Sequence, residues 1–117
     1  MKESPLRIKS YEMAKFIVAT YKYLVIEKKE FVMSKQLLRS GTNPGAMVRE
    51  AHGAESRADF IHKLKIAQKE TNETLYWLEL LKDTGYLEEN KFRKVYDMSS
   101  EVIRLLVSSI KTLKSNS

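Results

Sequence analysis

Residues 56–85 read SRADFIHKLKIAQKETNETLYWLELLKDTG. Within them Phe60, Leu64, Ala67, Thr71, Leu75, Leu78 and Leu81 recur at steps of three and four, the period of a helix. Ile61, Tyr76, Trp77 and Leu80 widen that apolar stripe. Ser56-Arg57-Ala58-Asp59 resembles a capping box with Asp in place of Glu. Its hydroxyl can accept from the free amides of a helix start, and its carboxylate suits the positive end. Gly85 is a natural left-handed stop, with Tyr86 and Leu87 available to pack back. The spacing predicts one helix over 57–84, about 40 Å long at about 1.5 Å per residue.

Working outward, the same period recurs on both sides. Phe92, Val95, Ser99, Val102, Leu106, Ile110 and Leu113 predict a helix over 88–114, with Lys111 and Lys114 suited to its negative end. Upstream, Leu37, Leu38, Gly41, Gly45, Val48 and Ala51 predict a helix over 33–52. Gly41 and Gly45 lie one turn apart, so another backbone can come close there. Asn43-Pro44 sits inside this pattern and predicts a kink; the competing reading is two short helices with a loop at Gly41–Gly45. The first helix is expected over 10–28, its stripe formed by Tyr11, Ala14, Val18, Tyr21 and Val25. Met13, Phe16, Ile17, Tyr23 and Leu24 spread apolar surface well beyond one face. Pro5 precedes it, in a short tail. Four long amphipathic segments with short links imply an all-α, antiparallel up-and-down four-helix bundle, in one domain spanning 1–117.

Composition agrees. The 117 residues contain only 4 Gly and 2 Pro, with 31% charged and 43% hydrophobic residues. There is no cysteine, which excludes disulfides, thiolate metal sites and cysteine nucleophiles and fits a reducing, cytoplasmic setting. No signal core and no apolar run near about 18 residues is present, so neither secretion nor membrane spanning is expected. The net charge of +6 suggests an anionic partner, RNA or DNA first. The excess lies off the third helix, whose segment is slightly acidic.

No catalytic constellation emerges, so no enzyme is expected. His52, Glu55, Asp59 and His62 superficially suggest a metal site. Gly53 and the Ser56 cap should break the helix between the histidines, and bundle metal centres need paired Glu-x-x-His motifs. No metal and no cofactor is therefore expected. Glu70, Glu73 and Glu79 read as a solvated face paired with Lys65, Lys69 and Lys82. Glu73, beside Leu75, Tyr76 and Trp77, is expected to be partly buried and hydrogen-bonded to a tyrosine. Gly41-Thr42-Asn43-Pro44-Gly45 lacks the Gly-Lys-Ser/Thr ending of a phosphate-binding loop. Lys35 and Arg39, one turn apart, and Arg49 beyond them form a basic ridge that could hold phosphates without reading sequence. Phe16, Tyr23, Tyr76 and Trp77 are surplus to a lone bundle and are the expected oligomer interface.

Several blocks carry a resemblance. Ser34-Lys35-Gln36-Leu37-Leu38-Arg39 is similar to a Ser-x-Gln-Leu-x-Arg segment, and Gly45-Ala46-Met47-Val48-Arg49-Glu50-Ala51 to Gly-Ala-Asn-Val-x-Glu-Ala. Ala58-Asp59-Phe60-Ile61-His62-Lys63-Leu64 resembles Lys-Asp-Phe-Ile-x-Lys, and Glu73 to Leu81 with Thr84-Gly85-Tyr86-Leu87 completes the set. In this order they resemble the four-helix bundle family of bacterial 23S rRNA intervening-sequence proteins. The sequence departs from that pattern at Met47 and at Asn43-Pro44. The resemblance implies an up-and-down bundle in a ring of five subunits. It also implies a relation to the accessory variability protein of diversity-generating retroelements, which partners a reverse transcriptase and binds nucleic acid. Two functions are thus expected in turn: a homo-oligomer binding structured RNA or DNA, or a protein-interaction scaffold or accessory subunit for a partner enzyme such as a reverse transcriptase.

Overall fold

The computed structural model describes residues 4–116. Four helices account for nearly all of them: α1 (Pro5–Ile26), α2 (Met33–Ala51), α3 (Arg57–Asp83) and α4 (Glu89–Ser115). Among the described residues there is no strand. Each helix packs on its sequence neighbours, and α1 closes on α4. The body measures 47 × 23 × 20 Å. Short links force antiparallel neighbours, and cross-helix pairs such as Lys63–Glu50 (3.2 Å) and Lys9–Glu101 (3.7 Å) follow that course.

α1 begins earlier than expected. Pro5 is its first residue rather than part of a tail, and the Ser4 hydroxyl caps it by accepting the Arg7 amide at 3.1 Å. Proline suits this position because the amide it lacks would be unpaired anyway and its φ is already helical. The inner face of α1 also differs. Leu6, Ser10, Met13, Ile17, Thr20 and Leu24 are buried, whereas Tyr11 and Val18 of the expected stripe are exposed. A helix apolar on several sides has no unique phase, so its partner chooses one. A Cβ on Gly41 would stand 2.5 Å from Ile17 Cγ1, and one on Gly45 would stand 3.3 Å from the Ser10 carbonyl oxygen. The glycines of α2 thus let Ile17 and Ser10 face inward.

α2 runs through Asn43-Pro44 as one helix, which removes the two-helix reading. Pro44 is buried within it. The start of α2 has no hydroxyl cap. Instead the Glu30 carboxylate accepts the amides of Val32, Met33 and Ser34 at 3.1, 3.0 and 2.7 Å. These bonds serve the unpaired donors of the first turn. Lys29, with φ of 54°, makes the bend that brings Glu30 back.

α3 has the expected ends. The Ser56 hydroxyl accepts the Asp59 amide at 3.0 Å. Gly85 has φ of 88°, and the Tyr86 amide returns to the Leu81 carbonyl at 2.8 Å. The core is a column of Met13, Ile17, Leu24, Leu37, Leu64, Leu78, Leu81, Val102 and Leu106. One buried polar contact crosses it, from the Thr74 hydroxyl to Ser40 Oγ at 3.1 Å.

Candidate nucleic-acid interface

Because Leu37, Gly41, Pro44 and Val48 of α2 face the core, Lys35, Arg39 and Arg49 are carried on its outer side, and all three are exposed. Their charges meet different fates. Arg39 reaches across to α3, where its guanidinium binds Glu70 at 2.7 Å and also pairs with Glu73. Glu73 also accepts from the Trp77 indole N–H at 2.9 Å. Its aromatic partner is therefore tryptophan, not the expected tyrosine. Nor do Glu70 and Glu73 form the expected ladder with lysines of their own helix. A guanidinium offers a planar fork that two carboxylates one turn apart can share.

Lys35 meets no carboxylate among the described residues. Arg49 meets none either; its guanidinium lies 5.0 Å from the centre of the Tyr11 ring. The Lys15 ammonium stands 5.1 Å from the same ring and 3.0 Å from Glu12. Tyr11 is 51% exposed, so two cations from adjacent helices flank an accessible aromatic ring. Cation–π attraction holds such charges in place without neutralising them. Neither Tyr11 nor Lys15 is a candidate site residue on the sequence pattern, which places Tyr11 in the inner stripe of the first helix. The Arg49 side of the ridge therefore keeps its charge, and the Arg39 side is engaged within the bundle.

The expected interface residues fall into two groups. Phe16 and Tyr23 border a groove of about 340 Å³ between α1 and α4, where Lys91 Nζ sits 4.6 Å from the Tyr23 ring centre. Tyr76 lies outside on α3, 55% exposed, edge-on to the half-buried Trp77 at 5.0 Å. The two histidines stand apart from any ligand set: among the described residues no three metal-binding side chains cluster. His52 Nδ1 is 2.8 Å from the Val48 carbonyl oxygen, and its ring meets Phe60 edge-on. Among the described residues, no helix is long and apolar enough to cross a membrane.

A family model for the 23S rRNA-intervening sequence protein matches residues 3–108. The chain belongs to this family. Among solved structures, this intervening-sequence family chain is similar to a protein with unknown function from the S23 ribosomal protein family of Bacteroides thetaiotaomicron. The two are 57% identical with a TM-score of 0.89, over 91% of this chain and 98% of the other. No curated protein matches. Family membership accounts for the bundle and for the ordered blocks in α2 and α3.

Proposed function

We propose that this chain is a non-enzymatic, homo-oligomeric bundle that binds structured RNA or DNA through the outer face of α1 and α2, in the cytoplasm. The observation that carries the reading is Arg49, a guanidinium held beside the exposed ring of Tyr11 with no carboxylate partner among the described residues. Lys35 extends the same face, Lys15 beside the ring is paired with Glu12, and the net charge of +6 would draw a polyanion toward the bundle. Phosphate contact through ammonium and guanidinium groups needs no base-reading motif. Arg39 is a weaker donor here because two carboxylates already hold it. The resemblance noted in the sequence supports a ring of five and a relation to retroelement accessory proteins.

The test is a titration against ribosomal RNA fragments and duplex DNA at two salt concentrations. Affinity should fall steeply with salt, since each neutralised phosphate releases counterion. Replacing Lys35 and Arg49 by Ala should flatten the salt slope by about one unit per lost contact, for all sequences alike. No binding by the wild type at low salt would end this reading. A second reading, a scaffold for a partner enzyme, is favoured by Ile26, Phe31 and Val32, which are 60%, 51% and 74% exposed at one end of the bundle.

A further inference from the structure

At the end of the bundle opposite the Glu30 bend, the four helices leave a cavity of about 370 Å³. It is bounded by the start of α1, the end of α2, the start of α3 and the last turns of α4. Its volume is in the range of small-molecule sites. Buried Leu6, Val48 and Leu64 form its floor, and the half-buried Phe60 ring forms one wall. Ser108, Ser109 and Thr112 of α4 line it together. Most other helical hydroxyls bond back to their own helix, as Ser99 does to the Val95 carbonyl at 2.9 Å and Thr71 to the Ala67 carbonyl at 2.7 Å. Ser108, Ser109 and Thr112 make no such bond and have no other hydrogen-bond partner among the described residues.

His52 adds an acceptor to this row. A carbonyl oxygen only accepts, so the Nδ1 that lies 2.8 Å from the Val48 carbonyl carries the ring proton, and Nε2 of the neutral ring is left to accept. Among the described residues, no lysine, arginine, aspartate or glutamate lines the cavity.

We propose that this cavity binds one purine or pyrimidine base, free as a nucleoside or unpaired in a strand. The strand source rests on the nucleic-acid reading above; the nucleoside source does not. A base has two apolar faces and a polar edge. The faces suit the Phe60 ring and the aliphatic floor. The edge carries both donors and acceptors, which suits hydroxyls that do either and an imidazole that accepts. An ionised group would lose its hydration there and meet no counter-charge, so phosphate stays outside. A purely aliphatic ligand would cover three hydroxyls and an imidazole without pairing them. Arg49 links the cavity to the basic face: it follows Val48 and stands one turn before His52 on α2. That turn is about 5 Å along the axis. A strand whose phosphate meets Arg49 therefore brings a neighbouring base to the mouth of the cavity.

The chain has two histidines and only His52 lines the cavity, so proton NMR reads the site with its own control. Adenosine should move the His52 ring signals saturably and leave those of His62 in place; His62→Gln assigns the pair. An oligoadenylate single strand at low salt should move the same signals at lower concentration, and the same strand fully paired in a duplex should not. Ser109→Ala with Thr112→Val removes two hydroxyls at nearly unchanged shape and should weaken both ligands by at least about tenfold. Arg49→Ala should weaken the strand and leave adenosine unchanged. Circular dichroism checks the fold; should the double variant unfold, Ser108→Ala with Ser109→Ala serves instead, with the same expected loss. Movement of His52 by the strand alone supports the cavity with the base supplied by the strand. Adenosine bound where no strand binds supports it as a nucleoside site and ends the nucleic-acid reading. His52 signals that stay fixed at millimolar adenosine and with a bound strand would overturn the cavity and leave the nucleic-acid reading standing, as would binding undiminished by the hydroxyl variants. No binding of either ligand would overturn both.

Discussion

The Arg39 guanidinium lies 2.7 Å from the Glu70 carboxylate and ties α2 to α3 across a separation of 31 residues. Glu73 holds the same guanidinium from one turn further on, and the Trp77 indole N–H orients Glu73 in turn. Arg39 is half exposed, so water screens part of the attraction. Arg39→Ala should lower stability by about 1 kcal/mol, near the upper end for exposed pairs because three groups share one geometry. It should weaken nucleic-acid binding less than Arg49→Ala does. Urea denaturation and the titration, run on both variants, check the two halves. Equal loss of binding in both would return Arg39 to the ridge.

Glu30 makes α2 sensitive to acid. Burial pushes its carboxyl pKa up, but the amides of Met33, Ser34 and Val32 and the Ser34 side chain together pull it below the ordinary value of 4.5. The folded chain therefore binds a proton at Glu30 less readily than the unfolded chain. Its stabilisation is complete above the unfolded value and is lost as pH falls through the lower folded value. Glu30→Gln should reduce stability at pH 7 by about 1 kcal/mol, the usual loss for a helix cap. The gap to the wild type should narrow as the solution is acidified through that window. A gap that stays constant to low pH would contradict the capping role.

Close packing of α1 on α2 depends on the two glycines. Gly41→Ala would press a methyl into Ile17, where three side-chain carbons lie within 2.8 Å of it. Overpacking of this kind costs about 1–3 kcal/mol, partly offset by about 1 kcal/mol of gained helix propensity. The net effect should be destabilising. At Gly45 the obstacle is the Ser10 carbonyl at 3.3 Å, a backbone atom that moves only with its helix, so Gly45→Ala should also destabilise. Gly53→Ala meets only the Glu50 carbonyl oxygen at 3.6 Å and serves as the control. Thermal midpoints of the three variants check the order. A midpoint raised by Gly41→Ala would mean that α1 can shift its phase.

Local signals in the sequence were enough for α3. Its period, its Ser56 cap and its Gly85 stop all act within a turn of themselves, so they read the same in the chain and in the fold. The same holds for the four-helix count and for Gly41 and Gly45 as points of close approach. The resemblance carried by the blocks from Ser34 to Leu87 also led directly to the family. Other features depended on neighbours far away in sequence. The phase of α1 was undecidable because apolar residues surround it; contact with Gly41 and Gly45 turned Ile17 and Ser10 inward and left Tyr11 outside. Tyr11 could then meet Lys15 and Arg49. Pro44 lies inside one continuous helix, as the pattern over 33–52 predicts, and the alternative of two short helices falls. The ridge of Lys35, Arg39 and Arg49 was legible as charge, but which charge stays available was not. Periodicity identifies which residues can share a face, whereas the partner of a long side chain is chosen by whichever helix packs beside it. That choice joined Arg39 to Glu70 and Glu73 and left Arg49 without a carboxylate among the described residues.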